Sequence, residues 1–434
     1  MRDCTVLQSK LGVYPALAKK LGTLTKTHLF WQEQNIQQQL ELNDVVGTSL
    51  VDRGAPRQPC LLISAYPKQA SLWGKKQRRV LREYYFTCAD LESRIRWQKA
   101  IDNVLIGRPV DSEVRHRHLQ VLINPSSGRK KAAKIFDRVR PMLDRANLSY
   151  EVTQTSSARD TVNSVRNLNL QEVDGLVIIG GDGTIHDAIA GLMSSYDRAA
   201  SKLPLGVIPG GTGNGLCKSL LESAGESYSP INAAFIIAKG RLKSFDLVSA
   251  VQNKRQYYSF LSLAWGLVSD IDLESEKIRF LGALRFDLYA LFLMCVKHTY
   301  RGRFSFQAHP SCKSFQAIHH RDWQVIEDDF LFIWAMNTPW AAHDMNVAPR
   351  AKLNDGAIDV LVMRQSTPRL EILRALLLCG RGKHLDLPHL EYYKVSAFKL
   401  EPLTKSGLLL VDGELVDYSP IEMKVISNLA WVNC

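Results

Sequence analysis

Residues 180–184 read Gly-Gly-Asp-Gly-Thr, one carboxylate among three glycines where the apolar run Leu176–Ile179 ends. Residues without a Cβ let two reactants come close to that carboxylate. Such an acid could take the proton of an attacking hydroxyl. Asp182 could also cap the helix that follows, though a cap does not call for three glycines. Two other segments have the composition of a phosphate cradle: Asn124-Pro125-Ser126-Ser127-Gly128-Arg129-Lys130-Lys131 and Pro209-Gly210-Gly211-Thr212-Gly213-Asn214. In each, small residues would let backbone N–H groups face an anion as a helix begins. One alone could be a tight turn; three at successive strand ends point to bound phosphates. The chain carries no G-x-x-x-x-G-K-[ST] loop, no dinucleotide G-x-G-x-x-G and no H-R-D with D-F-G pair, which excludes the common nucleotide designs. His186, His298 and His343 have no acid or nucleophile at a diagnostic spacing, so packing or surface roles are expected of them.

The elements that must position these residues alternate in type. Strands are expected at His118–Asn124, Ser149–Gln154, Gly175–Ile179 and Leu205–Ile208, with helices at Lys131–Ala146, Ala158–Asn167 and Thr184–Tyr196. That order argues for a doubly wound, Rossmann-like parallel sheet with ligands at the carboxyl ends of its strands. After Ser244 come the β-rich segments DLVSAVQ, YYSFLSLAW, FSFQAH, DDFLFIWAMN, GAIDVLVMR, SAFKLEP, GLLLVDGELV and IEMKVIS, broken by helices at Leu284–Lys297 and Arg369–Cys379. They argue for a mainly antiparallel β-sandwich. The amino-terminal part has short strands (Thr23–Trp31, Cys60–Ala65, Glu83–Thr87) and then LESRIRWQKAIDNVL, where Trp97, Ile101 and Val104 or Leu105 share one helical stripe. The expected organisation is a small α+β module over 1–113, an α/β nucleotide-binding domain over 114–244 and a β-rich domain over 245–434.

The 434 residues carry a formal net charge of +12, which suits polyanionic partners but also describes a plain basic protein. Eight scattered cysteines without a C-x-x-C pair give neither a zinc knuckle nor a disulfide frame, as in a reducing compartment. The amino terminus lacks a secretory h-region, and the most apolar window, Leu284–Val296, is interrupted by Arg285 and Asp287. No membrane span is expected.

The pair Gly180–Thr184 and Pro209–Asn214 resembles the lipid-kinase superfamily of diacylglycerol, ceramide and sphingosine kinases, distantly similar to NAD kinase and phosphofructokinase. Ser262-Leu263-Ala264-Trp265-Gly266 running into Asp270-Ile271-Asp272-Leu273-Glu274-Ser275-Glu276-Lys277, with Arg279, Leu281-Gly282, Arg285-Phe286 and Thr299–Arg303, is very similar to sphingosine kinases. The likeness runs from about Arg117 to the end. The amino-terminal segment resembles the pleckstrin-homology-like modules ahead of some of these kinase cores. Its run Lys75-Lys76-Gln77-Arg78-Arg79 would meet anionic head groups, or is a solvated or nuclear-import-like loop.

The resemblance implies ATP-dependent phosphorylation of the primary hydroxyl of a sphingoid base, sphingosine or a relative, to its 1-phosphate, with Mg2+. It implies Asp182 as the base. ATP contacts are carried to Asn124, Pro125 and Ser126; to Thr155, Ser156, Ser157, Ala158 and Arg159; to Gly180; to Gly211, Thr212 and Gly213; and to Arg279 and Arg285 as guanidinium forks from the second domain. Asp412, Gly413 and Glu414 would complete the nucleotide site, with Asp412 and Glu414 as metal ligands, although such a turn is also an ordinary hairpin. Asp272 would pair with the substrate ammonium and Ser262 with a hydroxyl. The tail would lie among Leu267, Val268, Ile271, Phe286, Leu288, Phe292 and Met294, whose spacing by itself reads as core, just as Asp272 by itself reads as one acid on a solvated helix. A ceramide or diacylglycerol kinase, or a catalytically idle lipid-binding adaptor, stays open. The expected partners are the lipid substrate and an anionic membrane surface, without nucleic acid and with a homodimer left open. The expected location is the cytoplasm with peripheral membrane association.

Overall fold

In the amino-terminal part, strands β1 (Thr5–Val13), β2 (Lys19–Thr25), β3 (His28–Glu33), β4 (Ile36–Glu41), β5 (Val45–Arg53) and β6 (Gln58–Ala65) are followed by a hairpin, β7 (Lys68–Ser71) and β8 (Gly74–Arg79), and by β9 (Arg82–Thr87). All but the hairpin form a seven-stranded antiparallel sheet in the order β4-β3-β2-β1-β9-β6-β5. Helix α1 (Leu91–Leu105) closes it. Asp90 accepts the Ser93 N–H at 2.7 Å and so caps the helix. The expected stripe faces inward, with Trp97 and Ile101 buried and the indole N–H of Trp97 donating to Ser9 Oγ at 2.8 Å. The computed structural model describes residues 4–15, 19–71, 74–125, 127, 131–275, 298–311 and 322–434. Ser126, Gly128–Lys130, Glu276, Lys277, Arg279, Leu281, Gly282, Arg285, Phe286, Leu288, Phe292, Met294 and the helix expected at Leu284–Lys297 lie outside the described residues.

Arg79 departs from the expected basic loop. Its guanidinium is buried, donating to Glu226 at 2.7 Å, to Asp44 at 2.7 Å and to the Tyr66 carbonyl at 2.6 Å, and it lies 3.5 Å over the Phe235 ring. It therefore ties the first module to the next one and is closed to a head group. Lys239 reinforces the same contact by donating to the carbonyls of Leu42 and Val45 at 2.9 and 2.6 Å.

The middle of the chain alternates as expected through β10 (His118–Ile123), α2 (Ala132–Arg145), β11 (Ser149–Gln154), α3 (Ala158–Arg166), β12 (Gly175–Gly180), α4 (Asp182–Met193) and β13 (Leu205–Pro209), and is followed by two helices not expected from the sequence, α5 (Gly215–Ser223) and α6 (Pro230–Lys239). The strands pair in parallel, Leu119 opposite both Tyr150 and Gly175, and Ile178 opposite Val207. Helices cover both faces, so Val121, Val177, Ile178, Ile179, Val207 and Ile208 are all buried and the strands read as unbroken apolar runs. The order β11-β10-β12-β13 reverses direction between β10 and β12. A crevice opens at the carboxyl ends of strands at such a point, and Asn124 and Gly180–Thr184 both stand there.

The remainder holds β14 (Leu242–Gln252), β15 (Arg255–Ser259), β16 (Ser262–Gly266), α7 (Leu267–Ser275), β17 (Tyr300–Ala308), β18 (Gln324–Met336), β19 (Ile358–Arg364), α8 (Arg369–Cys379), β20 (Leu390–Pro402), β21 (Leu409–Val411), β22 (Glu414–Leu415) and β23 (Ile421–Asn433). Its ladders are antiparallel, and α8 has the bounds expected from the sequence. Strand β23 pairs with β14 and β20 and then runs parallel beside β13 at Leu205–Val432, joining this part to the parallel sheet. Two expected strands are each split. YYSFLSLAW divides into β15 and β16 at Phe260-Leu261, and GLLLVDGELV folds into a hairpin. Among the described residues no helix is long and apolar enough to cross a membrane.

Candidate functional site

Asp182 is the first residue of α4, with Gly181 as its extended N-cap. The Asp182 side chain does not cap its own helix. Its Oδ2 accepts the Gly215 N–H at 3.0 Å and its Oδ1 the Leu216 N–H at 3.4 Å, so it sits at the start of α5, where the helix dipole favours an anion. Burial pushes this carboxyl up, the backbone N–H groups pull it back, and Asp412 nearby pushes it up again, leaving it at about 6. That value suits a base working near neutral pH.

The glycines are needed where two loops touch. A Cβ on Gly211 would stand 2.4 Å from Gly181 Cα, and one on Gly213 would stand 2.9 Å from Asp182 Oδ2. The loops are also stitched together: Gly210 N–H donates to the Gly180 carbonyl at 2.8 Å, and Asn124 Nδ2 donates to Thr184 Oγ1 at 3.1 Å. Asn214, in the left-handed region at φ 60, accepts from Gly211 N–H at 3.0 Å and returns a bond to its carbonyl at 2.8 Å. These bonds hold Asn124, Gly180 and Gly211–Gly213 in one crevice. Pro125 follows Asn124 at the end of β10. At the end of β11, Thr155 is buried, and among the described residues its Oγ1 has no hydrogen-bond partner. A buried orphan hydroxyl is costly unless a ligand satisfies it. Ser156 and Ser157 bond to Asp160 at the start of α3, and Ala158 and Arg159 are exposed on its first turn.

Asp412 and Gly413 form the two-residue turn between β21 and β22, both at positive φ (53 and 84), the geometry of a primed hairpin turn. The Asp412 side chain has no solvent exposure. Its Oδ1 accepts from Ser259 Oγ, Leu261 N–H and Ser262 N–H at 2.7, 2.9 and 3.0 Å. Its Oδ2 accepts from Phe260 N–H at 3.2 Å and meets His186 Nδ1 at 3.0 Å. These bonds take the backbone N–H groups of residues 260–262 out of any ladder, which is why β15 and β16 separate there. His186, of which only a packing or surface role is expected from the sequence, meets Asp412 instead. Burial disfavours its charge, but the bond to Asp412 and the charges of Asp412, Asp187 and Glu414 outweigh that and raise its pKa. Burial and Glu414 lift Asp187 to about 6, against the pull of His186. Glu414 is exposed, with Oε1 at 3.0 Å from where a Gly183 Cβ would stand. Asp187 and Glu414 are oxygen donors of the kind a divalent cation would suit. Among the described residues no group of three or more His, Cys, Asp or Glu is gathered to hold one. Neither His186 nor Asp187 stands at a telling spacing from Asp412 or Glu414, which lie more than two hundred residues along the chain, and only folding brings them together.

On the other side, β16 leads directly into α7. The Ser262 carbonyl accepts the Asp412 N–H and the Ser262 N–H donates to Asp412 Oδ1, and Asp272 is half-buried on α7. Leu267 and Ile271 join an apolar cluster with Phe332, Met363, Ile372 and Cys379, against which Val268 packs. His343 N–H donates to the Gly213 carbonyl at 2.9 Å and its ring stacks on Tyr228, so it supports the third loop.

Residues 118–250 match the model of the diacylglycerol kinase catalytic domain, and residues 300–432 match the YegS C-terminal NAD kinase beta sandwich-like domain. The chain is similar to sphingosine kinase 1 of Arabidopsis thaliana, 34% identical over 77% of this chain and 74% of the relative. It is also similar to sphingosine kinase 1 of Homo sapiens, 31% identical over 72% and 89%. A Bacillus anthracis crystal structure described as a diacylglycerol kinase superposes with a TM-score of 0.54 at 17% identity, covering 74% of this chain and 98% of that one, which speaks for the fold. With its loops, its second-domain hairpin and these likenesses taken together, the chain belongs to the sphingosine kinase family, lipid kinases built on the diacylglycerol kinase catalytic domain.

Proposed function

We propose that Asp182 is the base of this lipid kinase and that the crevice between β10 and β12 receives ATP. The enzyme uses ATP and phosphorylates a sphingoid base. The observation that carries the residue assignment is the Asp182 carboxylate, held at the contact of two glycine loops and poised at about 6. In this scheme the primary hydroxyl of the lipid gives its proton to Asp182 as its oxygen bonds to the γ-phosphorus and the bond from that phosphorus to the bridging oxygen breaks. Asn124, Pro125, Ser126, Gly180 and Gly211–Gly213 bound the phosphates. Thr155 offers its orphan hydroxyl, Ser156–Arg159 line the far edge, and Arg279 and Arg285 add positive charge. Glu414, with Asp187 beside it, would hold Mg2+, which supplies charge neutralisation when bound. Asp412 holds the turn that carries Glu414, and its own carboxylate is already fully bonded.

Asp272 is proposed to pair with the substrate ammonium, Ser262 to bond a substrate hydroxyl, and Leu267, Val268, Ile271 and Phe286 to border the tail. Residues 1–113 are proposed as a pleckstrin-homology-like module, supported by seven antiparallel strands closed by a helix with an inward Trp97. The nucleotide and lipid domains are then 114–244 and 245–434. The net charge of +12 supports peripheral association of a cytoplasmic enzyme with anionic membranes. The test is transfer from labelled ATP with magnesium to sphingosine, phytosphingosine, ceramide and diacylglycerol. Asp272→Asn should lower kcat/KM for the amine-bearing lipids relative to ceramide, and an unchanged preference removes Asp272 from recognition.

A further inference from the structure

Helix α8 is apolar on two opposite faces. Ile372, Ala375 and Cys379 point inward, into the cluster that also holds Leu267 and Ile271 of α7. Leu370 and Leu377 are seven residues apart and so share one stripe, and they are 59% and 68% exposed. Half-exposed Leu373 lies between them. Arg369 and Arg374 on the helix, and Arg381 and Lys383 just past its end, are all exposed. The acid on this helix, Glu371, is turned aside to His389 at 2.8 Å. Single exposed leucines are ordinary. A leucine stripe accompanied by four cations is the pattern of a helix that lies in a lipid interface.

We propose that the outward stripe of α8 is the surface on which this enzyme rests on an anionic bilayer, with Leu370 and Leu377 entering the acyl boundary and the four basic residues facing lipid phosphates. This deepens the peripheral association proposed above and rests on it. Charge selects the occupant, since four exposed cations complement an anionic surface. The inner face of the same helix borders the cluster assigned to the lipid tail, so a single helix separates bilayer from cleft. A long-chain amine could then pass between them without its tail crossing water.

The test uses the full chain with vesicles of phosphatidylcholine alone and of phosphatidylcholine mixed with phosphatidylserine. The unaltered protein should partition to the mixed vesicles. Leu370→Asp/Leu377→Asp should cut that partition by about tenfold or more. Arg374→Gln/Arg381→Gln should cut it by roughly twenty-five-fold at low salt, about fivefold for each cation removed, and flatten its salt dependence. Both variants should keep the parent's melting temperature and its kcat/KM for sphingosine in detergent micelles. If the parent binds and the aspartate variant binds equally well, the α8 surface is overturned while peripheral association stands. If the parent binds neither vesicle, peripheral association itself fails and the docking surface with it. If light scattering finds the parent dimeric and the aspartate variant monomeric, the stripe covers a second copy of the chain instead.

Discussion

Asp412→Ala tests whether the turn of the second domain is a structural knot or a metal ligand. The substitution strips the acceptor from three buried backbone N–H groups, those of Phe260, Leu261 and Ser262, and from the Ser259 hydroxyl. A buried donor left unsatisfied costs about 1–3 kcal/mol. Taking the low end, because water can enter beside the exposed Glu414, the three backbone groups cost about 3 kcal/mol. Position 412 sits at φ 53, where alanine is strained by about 1–2 kcal/mol and aspartate is better tolerated. Release of a desolvated carboxylate offsets part of this, so the expected loss is about 3–4 kcal/mol. Asp412→Asn keeps the left-handed turn and one oxygen for Ser259, Leu261 and Ser262, and should lose only about 1–2 kcal/mol. Chemical unfolding followed by tryptophan fluorescence in metal-free buffer measures both, since Trp265 is buried at the end of β16. A loss below about 1 kcal/mol for the alanine variant, together with a raised magnesium requirement, would refute the knot and make Asp412 a metal ligand.

Asp182 titrates at about 6 against an ordinary 3.8 and must be ionised to take a proton, so kcat/KM should fall as pH drops through about 6. The folded carboxyl holds its proton above the unfolded value, so the folded state binds more protons between 3.8 and about 6 and stability declines as pH rises through that window. Asp182→Asn should therefore lose turnover by about 100-fold or more while being no less stable than the parent at neutral pH, and a variant with near-parent turnover places the base elsewhere. Arg79→Ala leaves Glu226 buried with, among the described residues, only Lys68 at 3.2 Å and should weaken the tie to the first module by about 3 kcal/mol; limited proteolysis and melting that match the parent would discard that tie. Gly211→Ala drives a Cβ to 2.4 Å from Gly181 Cα and should raise the KM for ATP about tenfold or more through loop displacement, with the sphingosine KM little changed; an unaltered ATP KM would show that the two loops can separate freely.

The parallel sheet was legible because its information is local. Apolar runs such as Leu176–Ile179 and helix-spaced stretches such as Lys131–Ala146 are properties of neighbouring residues, and the observed elements begin and end within three residues of the expected positions, the largest difference being the helix expected to end at Tyr196 that ends at Met193. The start of α4 moved from Thr184 to Asp182 because Gly181 serves as N-cap. What escaped the sequence rests on distant pairs. YYSFLSLAW alternates like one strand, and nothing within it marks Phe260-Leu261; the break is imposed by a carboxylate about 150 positions later. Arg79 looked like part of a basic loop because its partners Asp44 and Glu226 lie far on either side. His186 looked idle for the same reason, its partner being 226 positions away.

Helix α4 explains why those distant pairs matter to the chemistry. Asp182 and His186 are four residues apart and so stand on one face of it. Asp182 reaches across to the start of α5, in the parallel sheet, while His186 reaches across to Asp412, in the β-rich part. One turn of helix is thus bonded on one side to the loop that contacts the glycines and on the other to the turn that carries Glu414. A shift of the β-rich part that pulls on Asp412 must act on His186, and through the same rigid turn on the carboxylate proposed to take the proton. The residues proposed to meet the lipid, on β16 and α7, follow from that same turn through Ser262, whose N–H donates to Asp412 Oδ1 and whose carbonyl accepts the Asp412 N–H. The proposed lipid site and the proposed base are thus linked by a few hydrogen bonds through Asp412, beside the β13–β23 pairing and the His343–Gly213 bond that also join the two parts.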